Sequence, residues 1–130
     1  MAAPRARPQP EGGAARRRVS SVLRAVDARD AARFCEHLAE DAVFVFGNAA
    51  PLKGLPAIRG AVHGFFQGVR ALRHVVADAW ALDRAIVCRG TVTYTRHDGT
   101  TLTVPFANIC EMRGPVAAHY QIYVDVSRLS

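Results

Sequence analysis

The sequence predicts an α+β domain with helices first and a sheet after. Three observations carry that expectation. Apolar residues in the first half recur at helical spacing, those after residue 73 alternate in twos, and an Asp-Gly pair separates two alternating runs. Half of the 130 residues are hydrophobic, enough for one buried core and one domain, expected to span 18–130.

Val19, Val22, Leu23 and Val26 fall at i, i+3, i+4 and i+7, one stripe of a first helix. Asp30 is placed to cap a second helix that buries Phe34, Cys35 and Leu38. Asp41 ends that helical pair, AVFVFG reads as a strand apolar on both faces, and GNAAPLKG is a loop by composition. Gly54 and Pro56 introduce a third helix over 55–70, with Ile58, Val62, Phe65, Phe66 and Val69 inward and Arg59, His63, Gln67 and Arg70 in water. Gly60, Gly64 and Gly68 recur every fourth residue, which predicts close backbone approach or open room beside the helix. RHVVADAW, AIVCRGTVTYTRH, TLTVPFANICEM and VAAHYQIYVDV then read as four strands of an antiparallel meander.

Net charge is +6, but residues 1–18 alone hold five Arg and one Glu, so the remainder is close to neutral. Residues 1–17 read as a disordered Arg/Pro-rich tail, and no basic-aromatic stripe points to nucleic acid. No apolar run approaches the ~18 residues of a membrane span, and the N-terminus lacks the apolar core of a signal peptide, so a cytoplasmic protein is expected. Three cysteines and five histidines show no ligand spacing, so neither a metal nor a cofactor is expected.

The run LTVPFANICEM supplies the candidate site. Its even positions, Leu102, Val104, Phe106, Asn108, Cys110 and Met112, are apolar but for Asn108. If Asp98-Gly99 forms a two-residue hairpin turn, His97 pairs with Thr100 and Arg89 lies opposite Asn108. Cys88 and Cys110 then fall on opposite faces. Arg89, Thr91, Thr93, Asn108 and Tyr120 gather on one concave face among Val104, Phe106, Ile122 and Val124. Val62 and Phe66 of the third helix, with Phe44 and Phe46, close over it. A buried guanidinium and amide either satisfy each other or orient a mostly apolar ligand. His74, Asp78 and Trp80 share parity on the preceding strand, as an ionisable edge of the pocket or as surface polarity.

DARDAARFCEHLAEDAVF, LKGLPAIRGAVHGFF, RHDG followed by VPFANICEM, and YQIYVD together resemble the SnoaL-like branch of the nuclear-transport-factor-2-like superfamily, over about residues 18–128. The resemblance implies a cone: a curved antiparallel sheet over three helices, with an apolar cavity at its wide end. It also implies homodimerisation through the back of the sheet, where Val92, Tyr94, Ile109, His119, Gln121 and Tyr123 are expected. Members include polyketide cyclases, ketosteroid isomerases, epoxide hydrolases and non-catalytic binders, so fold leaves function open. Phe46 stands where the isomerases keep a general-base Asp, and Val22 where they keep a Tyr donor. Asn108 stands at their protonated Asp, and Ile122 at an epoxide-hydrolase carboxylate.

The expected function is cyclisation or isomerisation of an apolar oxygenated intermediate, polyketide or terpenoid. Asn108 and Arg89 would stabilise developing negative charge, and Tyr120, His74 or Asp78 would move the proton. The alternatives are a non-catalytic small-molecule binder and a dimeric interaction domain.

Overall fold

The computed structural model describes residues 10–130, with side chains from residue 13 onward. Its elements run α1 (Pro10–Asp27), α2 (Ala31–Cys35), β1 (Leu38–Phe46), β2 (Leu52–Lys53), α3 (Leu55–Gln67), β3 (Ala71–Leu82), β4 (Ala85–Thr95), β5 (Thr101–Arg113) and β6 (Val116–Val124). Residues 1–9 of the expected tail lie outside the described residues. From Pro10 the chain is helical, and Ala15 is already buried. Asp30 caps α2 by accepting from the Arg33 amide at 3.0 Å. Leu38, expected on that helix, instead opens β1.

β3 to β6 form the expected antiparallel meander. β1, however, adds to β6 in parallel, giving a mixed six-stranded sheet in the order β2-β1-β6-β5-β4-β3. Two local features set which side chains face the helices. The first is the β4–β5 turn. Arg96 N donates to Thr100 O, Gly99 N donates to Arg96 O, and only Gly99 takes positive φ (88°). This is a three-residue loop ending in a left-handed glycine, not the two-residue turn expected. Asp98 stabilises it by accepting from Thr100 N and Oγ1. The extra residue moves the register by one, so Asn108 pairs with Cys88, and Arg89 with Ala107. A one-residue slip exchanges the faces of the whole strand.

The second feature is a bulge in β3, where Val76 pairs with Gly90 but Asp78 with Arg89. His74 and Asp78 therefore leave the sheet on opposite sides, although their parity is the same. Gly90 sits under the bulge without room for a side chain.

One continuous core joins α1, α2 and α3 to the inner face of the sheet, built around Phe34, Ile58, Val69 and Val92. On α3, Ile58, Val62 and Phe66 are buried as expected. Gly60 and Gly64 meet open space, not a neighbouring backbone. Their cost is thus conformational entropy with no packing return. Gly64→Ala is expected to raise stability by about 0.5–1 kcal/mol, read as a higher urea midpoint at unchanged m-value. No described helix is long and apolar enough to cross a membrane.

Candidate functional site

Between the helices and the sheet lies a cavity of about 250 Å³. Its wall is mostly hydrocarbon: Leu23 and Val26 from α1, Phe34 from α2, Val62, Phe65 and Phe66 from α3, and Phe44, Phe46, Phe106, Ile122 and Val124 from the sheet. Strand alternation directs the sheet residues inward, and the helix stripes meet them. Only four polar side chains reach this wall among the described residues: His74, Tyr94, Asn108 and Tyr120. Few polar groups in an apolar enclosure are the usual composition of a small-molecule site.

His74 is held by a residue that sequence reasoning missed. Asp27, the last residue of α1, accepts from the His74 amide at 3.0 Å and contacts His74 Nδ1 at 2.6 Å. A carboxylate only accepts, so Nδ1 carries a proton, and in the neutral ring Nε2 is then the nitrogen with the lone pair. Nε2 has no partner among the described residues, and the ring lies edge-on to Phe106 with centroids 5.0 Å apart. A signal was present: an acid in the last helical turn opposes the helix dipole and calls for a compensating donor.

Asn108, 3% exposed, donates from Nδ2 to the Tyr120 hydroxyl oxygen at 3.1 Å. Tyr120 thereby keeps its own O–H free to donate. Burial pushes the Tyr120 phenol well above its ordinary value, so it stays protonated through neutral pH. Phe34 and Phe44 pack against the ring and fix it. Asn108 Oδ1 is buried without a partner. An unpaired buried acceptor costs about 1–3 kcal/mol, which a donor on a ligand would recover.

Of the residues named from sequence, the structure places Phe44, Phe46, Val62, Phe66, His74, Phe106, Asn108, Tyr120, Ile122 and Val124 around this cavity. Val104 shares the inner face and packs on the core but does not line the space. Arg89, Asp78, Trp80, Thr91 and Thr93 do not belong to it. The turn and the bulge send them to the outer face. There Arg89 binds Asp78 at 2.9 Å and Thr93 bonds Thr103 at 2.8 Å. Val92 and Tyr94, expected on the outer face, line the cavity for the same reason.

Cys88 and Cys110 also share the inner face, contrary to the expected register, and both are free thiols. Burial raises the Cys88 thiol to about 11 and the Cys110 thiol to about 12. Since thiolate is the reactive form, both are expected to resist iodoacetamide at pH 8 and to react at ordinary rates only in urea. Intact-mass labelling of native against unfolded protein checks this.

The sequence model for the SnoaL-like domain matches residues 19–119. A search of curated proteins finds no match to this sequence, whereas 438 solved chains match its fold. Three examples show the range. An NTF2-like protein of unknown function from Burkholderia pseudomallei has a TM-score of 0.78 at 16% identity, covering 88% of this chain and 93% of its own. TerC, co-crystallised with polyporic acid, has a TM-score of 0.75 at 17% identity, covering 88% and 94%. An epoxide hydrolase of the LEH-like type from M. tuberculosis has a TM-score of 0.74 at 18% identity, covering 90% and 86%. At such identities the likeness is one of fold. With the family match spanning most of the described residues, the chain belongs to the SnoaL-like domain family.

Proposed function

We propose that the cavity is the active site of a small-molecule isomerase or cyclase acting on a neutral, apolar ketone such as a polyketide or terpenoid intermediate. The observation that carries this reading is that His74, on the wall of an apolar cavity that also holds a protonated Tyr120, is backed by Asp27 at 2.6 Å. His74 Nε2 takes a proton from the carbon beside the ketone, and Asp27 balances the imidazolium charge. The enolate oxygen so formed is stabilised by the Tyr120 O–H, polarised by the Asn108 amide behind it. In an isomerisation the imidazolium returns the proton to a different carbon. In a cyclisation the enolate carbon attacks a second carbonyl and the same proton quenches the alkoxide. Both reactions conserve composition and use only this chain's residues. No Arg or Lys lines the cavity among the described residues, so its chemistry favours neutral over anionic substrates. Arg89, 64% exposed and paired with Asp78, has no part in it.

The test is deuterium exchange at the α-carbon of 2-tetralone in D2O, followed by proton NMR. Wild-type chain should accelerate exchange, and His74→Ala should remove roughly 10²–10⁴-fold of that acceleration. Equal rates with and without His74 would refute catalysis. Saturable binding without exchange would favour the carrier reading.

A homodimer through the outer face completes the proposal. Trp80, Ile109 and Tyr123 are exposed there, with Val75 and Leu82 beside the β3 edge. His119 and Gln121 precede Tyr123 on the same face of β6, and exposed apolar side chains clustered on one face are typical of association sites. Ile109→Glu is expected to convert the dimer to a monomer in sedimentation velocity at micromolar concentration.

A further inference from the structure

We infer that a second cavity, on the other side of the Asn108–Tyr120 pair, is a binding compartment of its own for a small neutral phenol. This goes beyond the reading of the first cavity and does not depend on it. The second space is also about 250 Å³, and the two share only Asn108 and Tyr120 in their walls. A cavity of about 150 Å³ already holds benzene, so this one has room for a substituted ring.

Three features select the ligand. The wall carries three sulfurs, from Cys88, Cys110 and Met112, beside apolar Val19, Val22 and Ile86. Polarisable sulfur makes favourable contacts with aromatic ring edges. Second, Asn108 is in the wall of both cavities, 3% exposed, and its Oδ1 is buried without a partner. It can only accept, so it asks for a hydroxyl or N–H and repels a carboxylate. Third, the wall carries no acid, and burial keeps both thiols protonated and neutral. Arg18 is exposed, with its guanidinium donating to the Gly114 carbonyl at 3.2 Å. The polar residues Arg18, Ser21 and His37 line the same space, as groups at a wet mouth would.

The test is a fluorine NMR titration of the full chain with 4-fluorophenol, with 4-fluoroanisole as the ring that lacks a donor. Two bound signals per chain are expected. Ser21→Trp, at an exposed position on the second cavity, should remove one, and Ala61→Trp, on the wall of the first, should remove the other. 4-Fluoroanisole should bind the second site at least tenfold more weakly. A single bound signal insensitive to Ser21→Trp would overturn the proposal, as would equal affinity for phenol and anisole. Val22→Phe fills the same space from within and replaces Ser21→Trp should that variant not fold by circular dichroism. His74→Ala should abolish proton exchange and leave the second signal in place, so the two proposals fail separately.

Discussion

Gly90→Ala is expected to lower stability by more than about 4 kcal/mol, or to prevent folding altogether. A β-carbon built at Gly90 would lie 1.9 Å from the Val75 carbonyl oxygen, 2.9 Å from its carbon and 3.0 Å from Val76 Cα. All three are backbone atoms of the neighbouring strand, so no rotamer change relieves the contact. The strands must part where the β3 bulge forms. Arg16 reinforces that point by donating to the Val76 and Ala77 carbonyls. Parting them would cost ladder hydrogen bonds and misplace His74 in the same stroke. Calorimetry should show a melting temperature lowered by roughly 10 °C or more. Thr91→Ala, one residue along and exposed, should stay within about 0.5 kcal/mol of wild type. A Gly90→Ala chain melting within a few degrees of wild type would mean that the bulge is not packed as described.

Asp27→Asn is expected to reduce kcat roughly 10²- to 10⁴-fold with KM nearly unchanged, on the proposed proton-transfer reaction. Asp27 does not reach the substrate. It positions His74 through both oxygens, one on the backbone amide and one on Nδ1. An asparagine keeps one acceptor but offers an NH2 group in place of the other. If that NH2 faces Nδ1, the ring proton moves to Nε2 and the base becomes a donor. Stability should fall little, because removing a negative charge from the last turn of α1 also removes a clash with the helix dipole. The split between kcat and KM separates this role from simple packing. Unaltered exchange of 2-tetralone by a folded Asp27→Asn chain would sink the dyad.

How far the sequence revealed this architecture depends on the scale considered. Element order, the helix stripes, the meander and the inward set of β5 and β6 followed from periodicity, because burial enforces it. Asn108 and Tyr120 were legible as the polar members of otherwise apolar stripes. The position of Arg89 was not, since it depended on one residue of loop length. Asp-Gly suits a two-residue turn and a three-residue turn alike, and here Asp98 binding Thr100 favours the longer. The bulge was equally hidden: Gly90 marks it, but a glycine in a strand announces a close approach without saying which neighbour approaches. Asp27 escaped because its partner lies 47 residues away, and only tertiary packing of α1 on β3 joins them.

The last strand of the chain is not the last of the sheet. β6 is inserted between β1 and β5, and it carries Tyr120, Ile122 and Val124 into the cavity. Without β6, therefore, one flank of β1 is bare. Until β6 joins, the cavity lacks one wall and Asn108 has no Tyr120 hydroxyl to meet, so the enclosed space depends on long-range strand pairing that forms late in folding. A chain lacking residues from Val116 onward would have unpaired backbone on both β1 and β5, two bare edges open to association with other chains.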